Sequence, residues 1–216
     1  RSTAMRAVFA KENGDAEEAE RRFDACLERH PGDFLVVKEA VEFFGQRGRP
    51  ERSVEILRAA LAEWPTAALF RRALAERLRE RGEPAEAERT LREGTEMENP
   101  VLAVESWIDL GNHFHLLGEH AAAADALGRA VAIAGKQDPQ LVFDYADALV
   151  MAGRYEEALE LARGMAVSPH RDLVEGRVAL QQGRPAEALE HFGSALRLWP
   201  DNHVARYYAA LAAERS

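Results

Sequence analysis

The sequence lacks the features that cross-link a secreted domain or anchor a chain in a bilayer. Its one cysteine, Cys26, cannot form an internal disulfide. A single thiol fits a cytosolic protein, and equally a periplasmic protein without bridges. No apolar run approaches the roughly 20 residues that a membrane-spanning helix requires, and no signal peptide is visible. We therefore expect no membrane insertion, and the compartment stays open.

Positive charge is also scarce. The 216 residues carry a net charge of −9, and all but three of the 28 basic residues are arginine. Nucleic acids attract clustered cations, so this balance argues against a nucleic-acid partner. The preference for arginine over lysine is typical of a GC-rich bacterial genome.

Catalytic motifs are missing as well. There is no nucleophile elbow, glycine-rich phosphate loop or His-Glu-x2-His run. Asp109 and His113 lie four residues apart, with His115 and His120 following, but a metal site needs three or four converging ligands. On a helix His113 and His115 would point about 200° apart. We expect no catalytic residue, no cofactor and no metal site, and hence a protein that is not an enzyme.

Glycine, in contrast, recurs at a nearly constant interval. The steps between successive members are 34, 34, 36, 35 and 30 residues, for Gly14, Gly48, Gly82, Gly118, Gly153 and Gly183. An alanine-rich amphipathic stretch and then a proline follow most of them. A period in the thirties is typical of stacked helical repeats. Such repeats offer a long surface rather than an enclosed pocket.

Each unit has the pattern of two helices joined by a short turn, as residues 33–65 illustrate. The first helix has apolar residues at helical spacing: Val37, Ala40, Val41 and Phe44. Gly48 ends it in the left-handed conformation, and Pro50 suits the first turn of the next helix. The second apolar face comprises Val54, Leu57, Leu61 and Trp64. The pattern therefore predicts an α-hairpin in each repeat.

The second helices also align with one another. Five residues after each turn glycine comes a small residue that lets the two helices approach closely: Ala19, Ser53, Ala87, Ala123, Ala158 and Ala188. The residue four positions after each of these small residues is mostly large and apolar. The residue three positions beyond that one is mostly small. Cys26 occupies one of these last positions, so we expect a buried small core residue rather than a reactive thiol.

These residues resemble the tetratricopeptide repeat. The clearest copy has Trp107, Leu110, Gly111 and Phe114 on its first helix, followed by Gly118, Ala123 and Ala130. The resemblance implies an all-α superhelix of antiparallel helix pairs in a single domain. It comprises six repeats and a terminal helix, at residues 1–31, 32–65, 66–100, 101–139, 140–169, 170–200 and 201–216. Because the chain starts at Arg1, without a methionine and inside a repeat, we expect a piece of a longer protein.

In this family the first helices line a concave surface, and the resemblance implies which residues face it. The implied partner-binding residues are Lys38, Arg72, Arg79, Ile108, Asp109, Asn112, His115, Phe143, Asp144, Asp147, Arg177, Tyr207 and Tyr208. In the middle of the set, the carboxylates would focus negative potential while Ile108 and Phe143 supply apolar anchors. This arrangement favours a bound segment with a basic and an apolar side chain, although the same residues also fit an ordinary solvated helix face.

The function that follows is a non-catalytic scaffold for protein–protein interaction, which binds a peptide or protein segment in the concave groove. A clamp for a C-terminal carboxylate is not supported, because Glu42 stands where that subtype needs asparagine. Two alternatives stay open. One is a substrate-positioning repeat arm of a larger enzyme, and the other is self-association through the C-terminal helix with Tyr207 and Tyr208.

Overall fold

The computed structural model describes residues 2–165 and 169–216, and within them it contains thirteen α-helices and no strand. The helices are α1 (Ser2–Glu12), α2 (Ala16–Arg29), α3 (Phe34–Gln46), α4 (Pro50–Glu63), α5 (Ala68–Glu80), α6 (Pro84–Thr95), α7 (Pro100–Leu116), α8 (His120–Ala134), α9 (Pro139–Met151), α10 (Tyr155–Arg163), α11 (Pro169–Gln181), α12 (Pro185–Leu198) and α13 (His203–Glu214). The all-α prediction is confirmed. Arg1 and residues 166–168, which belong to the first and fifth predicted repeats, lie outside the described residues.

The helices form two compact units, and the boundary falls inside α7, between Ser106 and Trp107. In the first unit α1 packs on α2, α3 on α4 and α5 on α6, and α4 also contacts α5. In the second unit the packing follows chain order from α8 to α13, each helix contacting the next. Both units are therefore built from antiparallel neighbours along the chain.

The turns between paired helices follow the prediction. The six turn glycines have φ between +69° and +78°, the left-handed region that side chains other than glycine rarely occupy. A methyl group at any of them would meet no atom of the described residues within 4 Å, so the backbone conformation rather than lack of space requires glycine. Prolines occupy the first turn of α4, α6 and α12, where the missing N–H costs no helical hydrogen bond.

The core lies where the aligned second-helix positions predict it. The six small residues five positions after the turn glycines are all completely buried. One turn later Phe23, Leu57 and Phe192 are at most 1% exposed. Cys26 is buried as expected, and this burial raises the pKa of its thiol. Close approach between paired helices is visible at Gly176, where a methyl group would lie 2.7 Å from the Phe192 ring.

One sequence assignment, that of Trp64, is wrong. Helix α4 ends at Glu63, and Trp64 is its 53% exposed cap residue, rather than part of the buried face. The Trp64 indole covers Gly32 instead, where any β-carbon would clash with it. Arg71 of α5 is only 6% exposed, and its guanidinium donates to the Pro65 carbonyl.

Ion pairs connect the helix-pair turns and second helices of neighbouring repeats. Arg52 donates to Asp24 at 2.6 Å, and Arg154 donates to Asp125 at 2.6 Å. The partners lie 28 and 29 residues apart in sequence, close to one repeat. Each pair is substantially solvated, so its contribution to stability is within about 1 kcal/mol. Their value lies in fixing the register between neighbouring hairpins.

Among the residues described, no helix is both long and apolar enough to cross a membrane.

Candidate partner-binding surfaces

A groove of about 540 Å³ runs between α3 and α5 in the first unit. Its floor is apolar, because Val37 of α3, Leu57 of α4 and Phe70 of α5 are almost completely buried beneath it. Ala73 lies between them on α5. Its small side chain leaves the space that a larger residue would fill.

A second depression, of about 570 Å³, adjoins the first and shares Phe34, Leu69 and Phe70 with it. Phe34 stacks on Phe70 with ring centroids 5.9 Å apart, yet Phe34 is 53% exposed and Leu69 is 56% exposed. Trp64 and Leu102 continue the apolar lining. We call the two depressions together the apolar groove. An exposed apolar strip of this kind commonly marks an interaction site.

Charged side chains border the apolar groove without closing it. Glu42 of α3 and Glu76 of α5 each stand nine residues into their helix, and both are exposed. Two carboxylates cannot pair with each other, and Glu42 instead has the Lys11 ammonium 3.6 Å away. Lys38 lies on the same wall as Glu42 and is also exposed. The groove therefore presents an apolar floor between walls of mixed charge.

The corresponding helices of the second unit are joined directly. Asp147 of α9 forms an ion pair with Arg177 of α11, whose side chain is only 5% exposed. The Arg177 guanidinium also lies over the Tyr208 ring, 4.6 Å from its centroid, and donates to the Met151 sulfur at 3.0 Å. Burial lowers the pKa of Arg177, but arginine stays charged at any physiological pH. Arg177 thus contacts two other predicted partner-binding residues, Asp147 and Tyr208.

A stack of rings lies in the same unit. Phe143 stacks on His170 with centroids 4.7 Å apart, and His170 meets Trp199 edge-on at 5.8 Å. Burial lowers the pKa of His170, since a cationic imidazole is poorly solvated there. Asp144, exposed on α9, accepts a hydrogen bond from the Gln140 amide at 2.7 Å, while partial desolvation raises its pKa.

The remaining predicted residues differ in their accessibility. Asp109 is buried and Ile108 is partly buried, whereas Asn112 and His115 are exposed on the same helix, α7. Tyr207 is 63% exposed on α13. In the first unit Arg79 is partly exposed, while Lys38 and Arg72 line the apolar groove.

Sequence reasoning did not select the aromatic residues of the groove, Phe34, Trp64 and Phe70. One signal was available for Phe34. It directly follows the N-cap Asp33, whose carboxylate accepts from the Val36 N–H at 3.1 Å, so Phe34 occupies the first helical position. Side chains at that position have little of the helix around them and readily stay exposed.

Comparison with known proteins agrees with this architecture. The tetratricopeptide repeat family matches residues 5–68, 37–93, 72–140 and 173–216, and a second tetratricopeptide repeat pattern matches residues 139–163. The chain belongs to the tetratricopeptide repeat family. Proteins built from these repeats serve typically as non-catalytic scaffolds for contacts between proteins. No curated protein matches the chain.

Several solved structures share the fold. PilF of Pseudomonas aeruginosa is 19% identical, with 97% of this chain and 96% of that chain covered and a TM-score of 0.54. PilW, a widely conserved type IV pilus biogenesis factor, is 17% identical over 95% of this chain and 96% of its own, with a TM-score of 0.56. YrrB, a tetratricopeptide protein with an unusual peptide-binding site, is 20% identical. The match covers 86% of this chain and 96% of YrrB, with a TM-score of 0.54.

Proposed function

We propose that this tetratricopeptide repeat protein binds a segment of a partner protein in the apolar groove of its first unit. The observation that carries the proposal is the continuous strip formed by Phe34, Leu69 and Phe70 across two adjoining depressions. A few side chains in well-packed, desolvated pockets carry most of the binding energy in protein interfaces. YrrB, which shares this fold, has a peptide-binding site.

The groove defines the chemistry of the segment. Two apolar side chains would fill the depressions on either side of Phe34, one above Ala73 and one beside Trp64. Two carboxylates and two cations border the first depression, so a basic residue would be favoured only where it lies beside Glu42 or Glu76. Rim charges of this kind select partners and steer association more than they add affinity.

Two of the sequence-predicted contacts, Lys38 and Arg72, lie at this groove and belong to the proposal. Asp147 and Arg177 pair with each other. Binding there would require breaking a largely buried ion pair, which is costly. We therefore assign the primary site to the first unit, with Asn112, His115 and Asp144 as secondary candidates because they are exposed.

The test begins with selection of binding peptides from a displayed library against the whole chain. Affinity of a selected peptide is then measured by fluorescence polarisation for the wild type and for Ala73→Arg, which fills the first depression. We expect at least about tenfold weaker binding, corresponding to about 1.4 kcal/mol. Leu69→Asp, at an exposed position, is a second variant that leaves the core intact.

The matched control is Ala85→Arg, the same substitution at an exposed position of α6 outside the groove lining. Its affinity should equal that of the wild type. Equal loss of peptide affinity in Ala85→Arg and Ala73→Arg would overturn the proposed site. So would unchanged peptide affinity in both groove variants.

A second candidate is self-association through α13. The helix packs inward through Ala205 and Ala212, while Tyr207 is 63% exposed and Leu211 is partly exposed. Sedimentation velocity over a concentration range tests it. A concentration-dependent increase in mass that Tyr207→Glu abolishes would support this candidate, and a constant monomer mass would exclude it.

A further inference from the structure

Three potential metal ligands converge where α11 and α12 form a hairpin. Asp172 and Glu175 lie three residues apart on α11 and therefore on one helix face. His191 of the antiparallel α12 faces them. One oxygen of each carboxylate and one His191 ring nitrogen all lie within 4.8 Å of one another. This cluster is separate from the α7 histidines, and its three residues form no metal-binding motif in the sequence.

The separations suit a small divalent cation. The His191 Nδ1 lies 3.3 Å from a Glu175 oxygen and 3.9 Å from an Asp172 oxygen. Zinc binds imidazole nitrogen and carboxylate oxygen at about 2.0–2.2 Å in tetrahedral geometry, which places ligand atoms about 3.3–3.6 Å apart. Small side-chain rotations therefore bring all three ligand atoms onto one ion.

The backbone beneath the cluster is held in place by close packing. Gly176, next to Glu175, allows α11 to approach the Phe192 ring so closely that a methyl group there would lie 2.7 Å from it. Phe192 directly follows His191 and is completely buried, as is Ala188 one turn earlier. The helix segments that carry the ligands are thus positioned by the core, which reduces the entropy lost when an ion binds.

Charge and burial agree with the geometry. The three side chains are 17–28% exposed, so they are partly shielded yet open to an ion from solvent. Two carboxylates and a neutral imidazole carry a charge of −2, which a divalent cation neutralises. One imidazole with two carboxylates is a borderline donor set that favours zinc over the harder magnesium.

We propose that Asp172, Glu175 and His191 bind a Zn²⁺ ion, with water completing the coordination, and that the ion cross-links α11 and α12. This site is independent of the apolar groove. Its consequence is a second unit whose stability depends on zinc, because an ion that binds only the folded state stabilises it by mass action.

The test is a titration of the metal-free whole chain, free of any histidine tag, with ZnCl₂ by isothermal calorimetry. We expect about one equivalent of Zn²⁺ to bind and the melting temperature to rise. His191→Gln should weaken binding by about tenfold or more, since loss of even an outer-shell partner costs 10–100-fold. Co²⁺ should give a visible absorption spectrum that the same variant loses.

The matched control is His30→Gln, at an exposed histidine in the first unit, which should bind Zn²⁺ like the wild type. Circular dichroism of each variant without metal shows whether it is folded. If His191→Gln does not fold, Glu175→Gln provides a second ligand deletion. Zn²⁺ affinity unchanged by both ligand variants would overturn the proposal. So would a melting temperature that responds equally to Zn²⁺ and Mg²⁺.

Discussion

At the ninth position of their helices, α3 and α5 of the first unit carry Glu42 and Glu76, whereas α9 and α11 of the second carry Asp147 and Arg177. The two glutamates have the same charge and stay apart, and the space between their helices is the apolar groove. The aspartate and arginine attract each other and form a largely buried ion pair. Opposite charges at this repeated position therefore accompany directly joined first helices in the second unit, and like charges accompany an open groove in the first.

Side-chain size reinforces this difference. In the first unit Ala73 lines the groove and leaves it open. In the second unit the long Arg177 side chain, at the position equivalent to Glu76, lies over the Tyr208 ring and donates to the Met151 sulfur. The same helical hairpin thus leaves an open groove in one unit and joins neighbouring helices in the other.

The largest effect is expected when the ion pair of the second unit is broken. Arg177→Met leaves Asp147 without its cation in a partly buried position, and should lower the free energy of unfolding by about 3 kcal/mol. Urea denaturation followed by circular dichroism measures it. Glu76→Ala, at the equivalent exposed position of the first unit, should change it by less than about 0.5 kcal/mol.

The double variant Asp147→Leu/Arg177→Met separates the cost of an orphaned charge from the value of the pair. Replacing a buried ion pair with apolar residues is often neutral, so most of the lost stability should return. If Arg177→Met alone lowers the free energy of unfolding by less than about 1 kcal/mol, the ion pair does not stabilise the second unit.

The next effect concerns the close packing of the second unit. Gly176→Ala places a methyl group against the Phe192 ring and should destabilise the protein by about 1–3 kcal/mol. Gly193→Ala makes the same change on α12, where no atom lies within 4 Å, and should stabilise the helix by about 0.5–1 kcal/mol. Thermal denaturation of both variants compares them, and equal shifts would contradict the packing argument.

The architecture could be predicted because its determinants are local. The left-handed glycines, the helix-initiating prolines and the small residues at aligned positions act within a few residues of chain, so their spacing is visible in sequence. Trp64 was misassigned because its helical spacing continues one residue beyond the point where α4 ends. Periodicity alone does not define the last residue of a helix.

The sites were less predictable because they depend on contacts between repeats. The family resemblance places Asp147 and Arg177 among the partner-binding residues, but nothing in the spacing indicates that they pair across 30 residues of chain. His191 gave no signal either, because its carboxylate neighbours lie on the other helix of the hairpin. Which side chains meet depends on rotamers and helix approach, which composition and period leave undefined.

A smaller effect is expected when the first unit is given the charge pattern of the second. Glu76→Arg places opposite charges at the two ninth positions, so Glu42 should pair with the new guanidinium across the apolar groove. An exposed pair contributes up to about 1 kcal/mol, and a peptide selected for the groove should bind about threefold to fivefold more weakly. Fluorescence polarisation measures this affinity.

Glu28→Arg is the control for that experiment, because it makes the same charge change at an exposed position of α2, outside the groove lining. It changes the net charge equally and should leave peptide affinity unchanged. Equal weakening by the two variants would mean that long-range charge, rather than closure of the groove, reduces binding.

The smallest effect is a pH dependence specific to the second unit. Burial lowers the pKa of His170 in the folded state, so the unfolded chain binds the proton more readily. Stability from this group is fully present above about pH 6.5 and is lost as the pH falls through the lower folded pKa. Urea denaturation at pH 7.5 and pH 5.5 should show a smaller loss of stability on acidification for His170→Gln than for the wild type. His203→Gln, at an exposed position of α13, should retain the wild-type difference, and an unchanged pH response in His170→Gln would show that stacking against Phe143 does not couple this imidazole to folding.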